Sequence, residues 1–139
     1  MTISTTTIKN SFSGDGSTTA FTYTFKISDE DHIQVILRDS DGVETVKTIT
    51  THYTVGGVGG ASGGTVTMVT APASGETLVL RRSTTQTQGL DLIENDPMPA
   101  DNLETAFDKN LSISQELQEQ INRSFKVSRT NTITSSEFT

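Results

Sequence analysis

The sequence has no cysteine and no tryptophan, only three prolines and two tyrosines among its 139 residues, and no long apolar run. Without cysteine there is no disulfide framework and no thiolate chemistry. The start, MTISTTTIKN, lacks the basic residues and apolar stretch of a signal peptide. Nothing approaches the ~20 apolar residues of a membrane span. The chain is therefore expected to be made as a soluble cytoplasmic product without secretion.

Charge of one sign is never concentrated. The net charge is −7, of which residues 1 to 98 contribute −5 and residues 99 to 126 contribute −2. This spread argues against nucleic acid or an anionic membrane as a partner. Apolar residues make up 32%, and glycine raises that to only ~40%, below the ~45–50% of a typical globular domain. Serine and threonine fill roughly three positions in ten, which suits solvated strands. A thin core in a small domain calls for help from a partner chain.

What the chain does have is one long helical period. Over Pro99–Asn122, at 100° per residue, Leu103, Ala106, Phe107, Leu111, Ile113, Leu117 and Ile121 fall within a sector of about 160°. Glu104, Asp108, Lys109, Glu116 and Glu119 lie opposite. A helix over 99–122 would be about 36 Å long, more than a small domain needs for its own core, so part of it is expected to project. Pro97 and Pro99 place its start at Met98 or Pro99. In a heptad reading the a positions are Leu103, Asn110 and Leu117 and the d positions Ala106, Ile113 and Gln120. Asn110 and Gln120 are polar core residues of the kind that fix register and oligomer number. The competing reading is a single helix folded against its own β domain.

Ahead of the helix the period is two. Thr2–Phe12 reads as an edge strand or arm. Phe21, Tyr23 and Phe25 alternate with polar residues, and Ile33, Val35 and Leu37 alternate within 32–38. Asp39-Ser40-Asp41-Gly42 is a hairpin turn leading into a strand over 43–51. Short strands are expected at 52–55, 65–70 and 77–82, separated by the glycine-rich loop Gly56–Gly64 and the turn Ala71–Gly75. About seven short strands with evenly spaced turns predict a mainly β fold, a small antiparallel β-sandwich. The expected organisation is a sandwich over 1–83, a connector over 84–98, the helix over 99–123 and a C-terminal arm over 124–139.

Catalytic and metal motifs are missing. His32 and His52 belong to no HExxH set, and Ser62 is not in a nucleophile elbow. Asp39–Glu44 lacks the later ligands of a calcium loop, and Asp29-Glu30-Asp31 reads as a solvated turn. The glycine loop precedes a strand, not a helix that could hold phosphate. No enzyme activity and no cofactor are expected. Arg81-Arg82 is the adjacent basic pair through which an acidic partner surface could be gripped.

Taken in order, Gly14-Asp15-Gly16-Ser17-Thr18-Thr19-x-Phe21, Tyr53, Ala71-Pro72-Ala73-Ser74-Gly75-Glu76-Thr77, Leu80-Arg81-Arg82-x-Thr84 and Ala100-Asp101-x-Leu103-x-Thr105-Ala106-Phe107 form a set. It resembles the N-terminal domain of T7-type phage tail fibres and tailspikes over about residues 10 to 125. The resemblance implies a homotrimeric sandwich in the virion tail of a short-tailed phage. There it would fix a fibre or spike to adaptor or nozzle proteins of the tail, with a helical bundle leading to a distal receptor-binding part. It assigns no enzyme activity to this domain. The chain would then be a piece of a fibre or spike, or a short adaptor recruiting a separate receptor-binding protein. A carbohydrate-binding sandwich is the rival, but exposed aromatic platforms are scarce. The glycine loop is longer than the resemblance leads one to expect, and Arg81 and Arg82 are the candidate tail contacts.

Overall fold

Alternation of apolar and polar residues builds the strands, and turn chemistry separates them. The computed structural model describes residues 3–95 and 97–124. Its strands are β1 (Lys9–Ser13), β2 (Ala20–Tyr23), β3 (Ile33–Arg38), β4 (Glu44–Val46), β5 (Tyr53–Gly56), β6 (Gly64–Met68) and β7 (Thr77–Arg82), followed by helix α1 (Ala100–Arg123). The named strands pair antiparallel, in a four-stranded sheet of order β1-β7-β3-β4 and a three-stranded sheet of order β2-β6-β5.

The inward sides of the two sheets form one core. Phe21 and Tyr23 of β2, Tyr53 of β5, and Val66 and Met68 of β6 face Ile33 and Val35 of β3 and Leu78 and Leu80 of β7. Tyr53 ties the layers together, because its hydroxyl donates to the Ile33 carbonyl at 3.3 Å in the opposite sheet. The Tyr23 hydroxyl donates to the Gly56 carbonyl at 2.8 Å. Both phenols thus keep a partner where water is excluded.

The aromatic strand is shorter than its alternation suggests: pairing stops at Tyr23, yet Phe25 and Ile27 still point into the core and are buried. The strand expected over 43–51 shrinks to Glu44–Val46, all exposed at the sheet edge, because it has β3 as its partner and no apolar face to bury. The Asp39 carboxylate accepts from the Asp41 and Val43 amides, and Gly42 takes φ 87°, which closes the β3–β4 hairpin as expected.

The glycine stretch is also more regular than expected. Gly56 and Gly64 are strand residues, and the segment between them is a folded hairpin loop. Gly63 shows why glycine is required there. It sits at φ 94°, and a Cβ would lie 1.9 Å from the Tyr23 carbonyl oxygen.

Helix α1 begins at Ala100, with Pro99 in extended conformation as its cap, one residue later than the prolines suggested. The expected arm over 124–139 lies outside the described residues apart from Ser124.

Candidate functional site

The helix lies against the sandwich with its polar side. The residues of α1 that become buried are Asp108, Ser112 and Glu116. They repeat every four positions, which stacks them on one face. That face is opposite the apolar sector. The sequence reading left these acids opposite the seam without a structural partner, and the fold supplies one.

The partner is a row of cations and donors at one end of the sandwich. Leu78, Leu80 and Arg82 share the inward face of β7, so Arg82 continues the core to its rim. Its side chain is 1% exposed. Arg82 Nε donates to Glu116 Oε1 at 3.2 Å, and Nη2 donates to Gln115 Oε1 at 2.5 Å. Burial pushes the Arg82 guanidinium below its usual pKa, and the Glu116 carboxylate opposes that shift. Glu116 also accepts from the Thr84 amide at 3.0 Å and the Thr84 hydroxyl at 2.6 Å. Two turns and more towards the helix start, Lys26 Nζ meets Asp108 Oδ2 at 2.6 Å.

The N-terminal arm adds to this seam. The Ile3 amide donates to Asp108 Oδ1 at 3.3 Å, and Gln115 Nε2 donates to the Thr5 carbonyl at 3.1 Å. Lys109 Nζ bonds the Thr87 carbonyl in the connector. Towards the helix end, Glu119 receives Arg123 at 2.5 Å, and Lys9 and Arg81 each lie 3.7 Å away. The hydrogen bond from Arg123, with the Arg81 and Lys9 charges behind it, holds the Glu119 carboxyl below its usual range.

Docking through the polar side leaves the apolar side outward. Phe107 is 67% exposed, Ile121 51% and Leu117 45%, and Leu111 is comparably open. Asn110 and Gln120 are exposed among them. Leu103, Ala106 and Ile113 are half-buried, and with Leu90 of the connector they line a groove along the helix. The nine residues assigned to the seam therefore lie on one side of the helix, six of them exposed and three half-buried beside the connector. The helix does fold against its own sandwich, but not through the face that its apolar period suggested.

The basic pair divides. Arg81 points to the outer face of its sheet, with 18% of its side chain exposed. Arg82 is turned inside the chain, where its buried guanidinium is held by Glu116 and Gln115, so of the pair it is Arg81 that reaches the surface. The signal was available, since alternation from Leu78 and Leu80 already puts Arg82 on the inward face.

Other candidate groups serve local structure. His32 is buried between the Ser28 and Thr85 hydroxyls at 3.3 and 3.1 Å, and burial lowers its pKa. His52 Nδ1 accepts from the Thr48 amide in a turn. The Asp29 carboxylate accepts from the Asp31 amide. Among the described residues, no group of three or more His, Asp or Glu side chains is placed to hold a metal, and no helix is long and apolar enough to cross a membrane. Both tyrosines are in the core, where neither forms a platform for sugar.

Comparison with known proteins gives the family. The family model described as the N-terminal domain of phage T7 tail fibre protein matches residues 1–134. The tail spike protein of Salmonella phage epsilon15 is 32% identical over 118 residues, which is 85% of this chain and 11% of that protein. The chain thus spans about a tenth of the length of this curated relative. With the family model covering nearly every residue, the chain belongs to the family of T7-type phage tail fibre N-terminal domains, which are components of the virion tail.

Proposed function

We propose that this domain anchors a tail fibre or tailspike to the tail of a short-tailed phage, as a homotrimer whose seam is the outward face of α1, and so supports adsorption to the host. The observation that carries the reading is the orientation of the helix. Its acidic side is already matched by Lys26, Arg82 and Thr84 of the same chain, while Phe107, Leu111, Leu117 and Ile121 face solvent. Burying the roughly half of each that remains exposed would contribute about 3–6 kcal/mol per helix. Asn110, inside that apolar strip, then sets register.

In this reading the domain works mechanically and catalyses nothing. Receptor binding, and any enzymatic task of the assembled fibre, belong to a distal part or to a recruited protein. The tail adaptor or nozzle proteins are the docking partners.

Sedimentation of the purified chain tests the seam. At tens of micromolar the parent chain should sediment at three times its 14.9 kDa mass. Leu117→Asp, which puts a charge on the open face and leaves the polar clasp intact, should sediment as a folded monomer. A parent chain that stays monomeric at that concentration would remove the basis for the trimer.

A further inference from the structure

Four of the ten basic side chains of this acidic protein meet at one corner of the sandwich. On the outer face of the four-stranded sheet, strand register sets Lys9 beside Arg81 and Arg38 beside Glu44. The last turn of α1 adds Glu119 and Arg123, and the corner encloses a concavity of about 330 Å3. Between the charged side chains it is lined by the apolar pair Val79 and Ile36, adjacent in register, and by Ser11 and Thr77.

Charge is unevenly matched here. Lys26 and Arg82 each have a carboxylate facing them, Asp108 and Glu116 respectively. At this corner Lys9, Arg81 and Arg123 share the single carboxylate of Glu119. Arg81 Nε, moreover, is buried without an acceptor. Four cations against two carboxylates leave a positive surplus on a protein whose net charge is −7.

We infer that this corner is a docking surface for an acidic polypeptide segment that also carries apolar side chains. The inference rests on the anchoring role proposed above and names the chemistry of the partner segment. Carboxylates on the segment would complete the coordination of Arg38, Arg81 and Arg123, and an apolar residue between them would cover Val79 and Ile36. Nucleic acid fits less well. Tight phosphate-backbone binding draws on about 6–10 cation contacts, and two carboxylates at this corner would repel it.

The test uses the purified chain and two dye-labelled hexapeptides, Glu-Leu-Glu-Glu-Leu-Glu and its counterpart with lysine for every glutamate, followed by fluorescence anisotropy. The acidic peptide should bind, the lysine peptide should not, and affinity should fall as ionic strength rises from about 0.05 to about 0.3 M. The double variant Arg38→Glu, Arg123→Glu should weaken binding at least about tenfold. It should sediment like the parent, so failure here is distinct from failure of the trimer. If that variant misfolds, Arg38→Gln with Arg123→Gln replaces it. No binding of the acidic peptide, equal binding of both peptides, tighter binding of a single-stranded DNA oligonucleotide, or an unchanged affinity in the variants would each overturn the inference.

Discussion

Glu116→Ala should be the most damaging single substitution on the helix, although it removes an acid from a strongly acidic protein. Glu116 is 6% exposed and receives Arg82 Nε together with the amide and hydroxyl of Thr84. Truncation leaves a guanidinium with 1% exposure facing no carboxylate at that contact. Breaking a buried ion pair from one side costs about 3–5 kcal/mol, because the remaining charge stays desolvated. The helix has one way to limit that cost: it can lift off and let Arg82 reach water. Urea unfolding of the folded monomer Leu117→Asp, with and without Glu116→Ala, reads the global loss, and amide exchange at Thr84 reports lift-off. Replacing both partners, Arg82→Met with Glu116→Leu, should recover most of the loss, since matched apolar groups carry no unpaired charge. A loss under about 1 kcal/mol together with unchanged exchange at Thr84 would refute the buried clasp.

Three further outcomes follow from the same geometry. Gly63→Ala forces a Cβ to within 1.9 Å of the Tyr23 carbonyl at φ 94°; it should cost at least about 1–3 kcal/mol, and thermal melting at the parent's midpoint would contradict this. Asp15 accepts from the Ser17 and Thr18 amides and the Thr18 hydroxyl, and the Thr18 bonds chiefly hold its carboxyl far below the usual range. Its contribution to stability is therefore complete above the unfolded carboxyl pKa of about 3.9 and is lost as pH falls below it; an NMR titration midpoint near 3.9 would be the wrong result. Because burial lowers the pKa of His32, its neutral form favours the folded state. Stability should decline as pH drops below about 6.5, and His32→Gln should flatten that part of the denaturation profile; an unchanged profile would contradict it.

The sandwich was legible because its information is local. Leu78 and Leu80, or Ile33 and Val35, declare their inward face within a few residues. The limits of strands were less legible. Phe25 is as buried as Tyr23, but whether it pairs depends on where β6 begins, which no local pattern states. The helix was legible from its period, and which side it docks was not. Apolar burial is the usual guide to docking, and here Arg82, Lys26 and Thr84 override it from positions more than thirty residues away in sequence. Two signs pointed that way: an arginine on the inward face of β7, and Asp108, Ser112 and Glu116 stacked at four-residue spacing.

The outward seam can be tested most directly because the chain has no native cysteine. Asn110→Cys puts one thiol near the middle of the open face of α1, and Ser112→Cys puts one on the docked face. Under mild oxidation at tens of micromolar, Asn110→Cys should give a covalent dimer on a non-reducing gel with one uncrosslinked chain left per trimer, and Ser112→Cys should stay monomeric. Crosslinking through Ser112→Cys but not through Asn110→Cys would mean that the helices meet through the polar face, and the polar-inward, apolar-outward arrangement would be wrong.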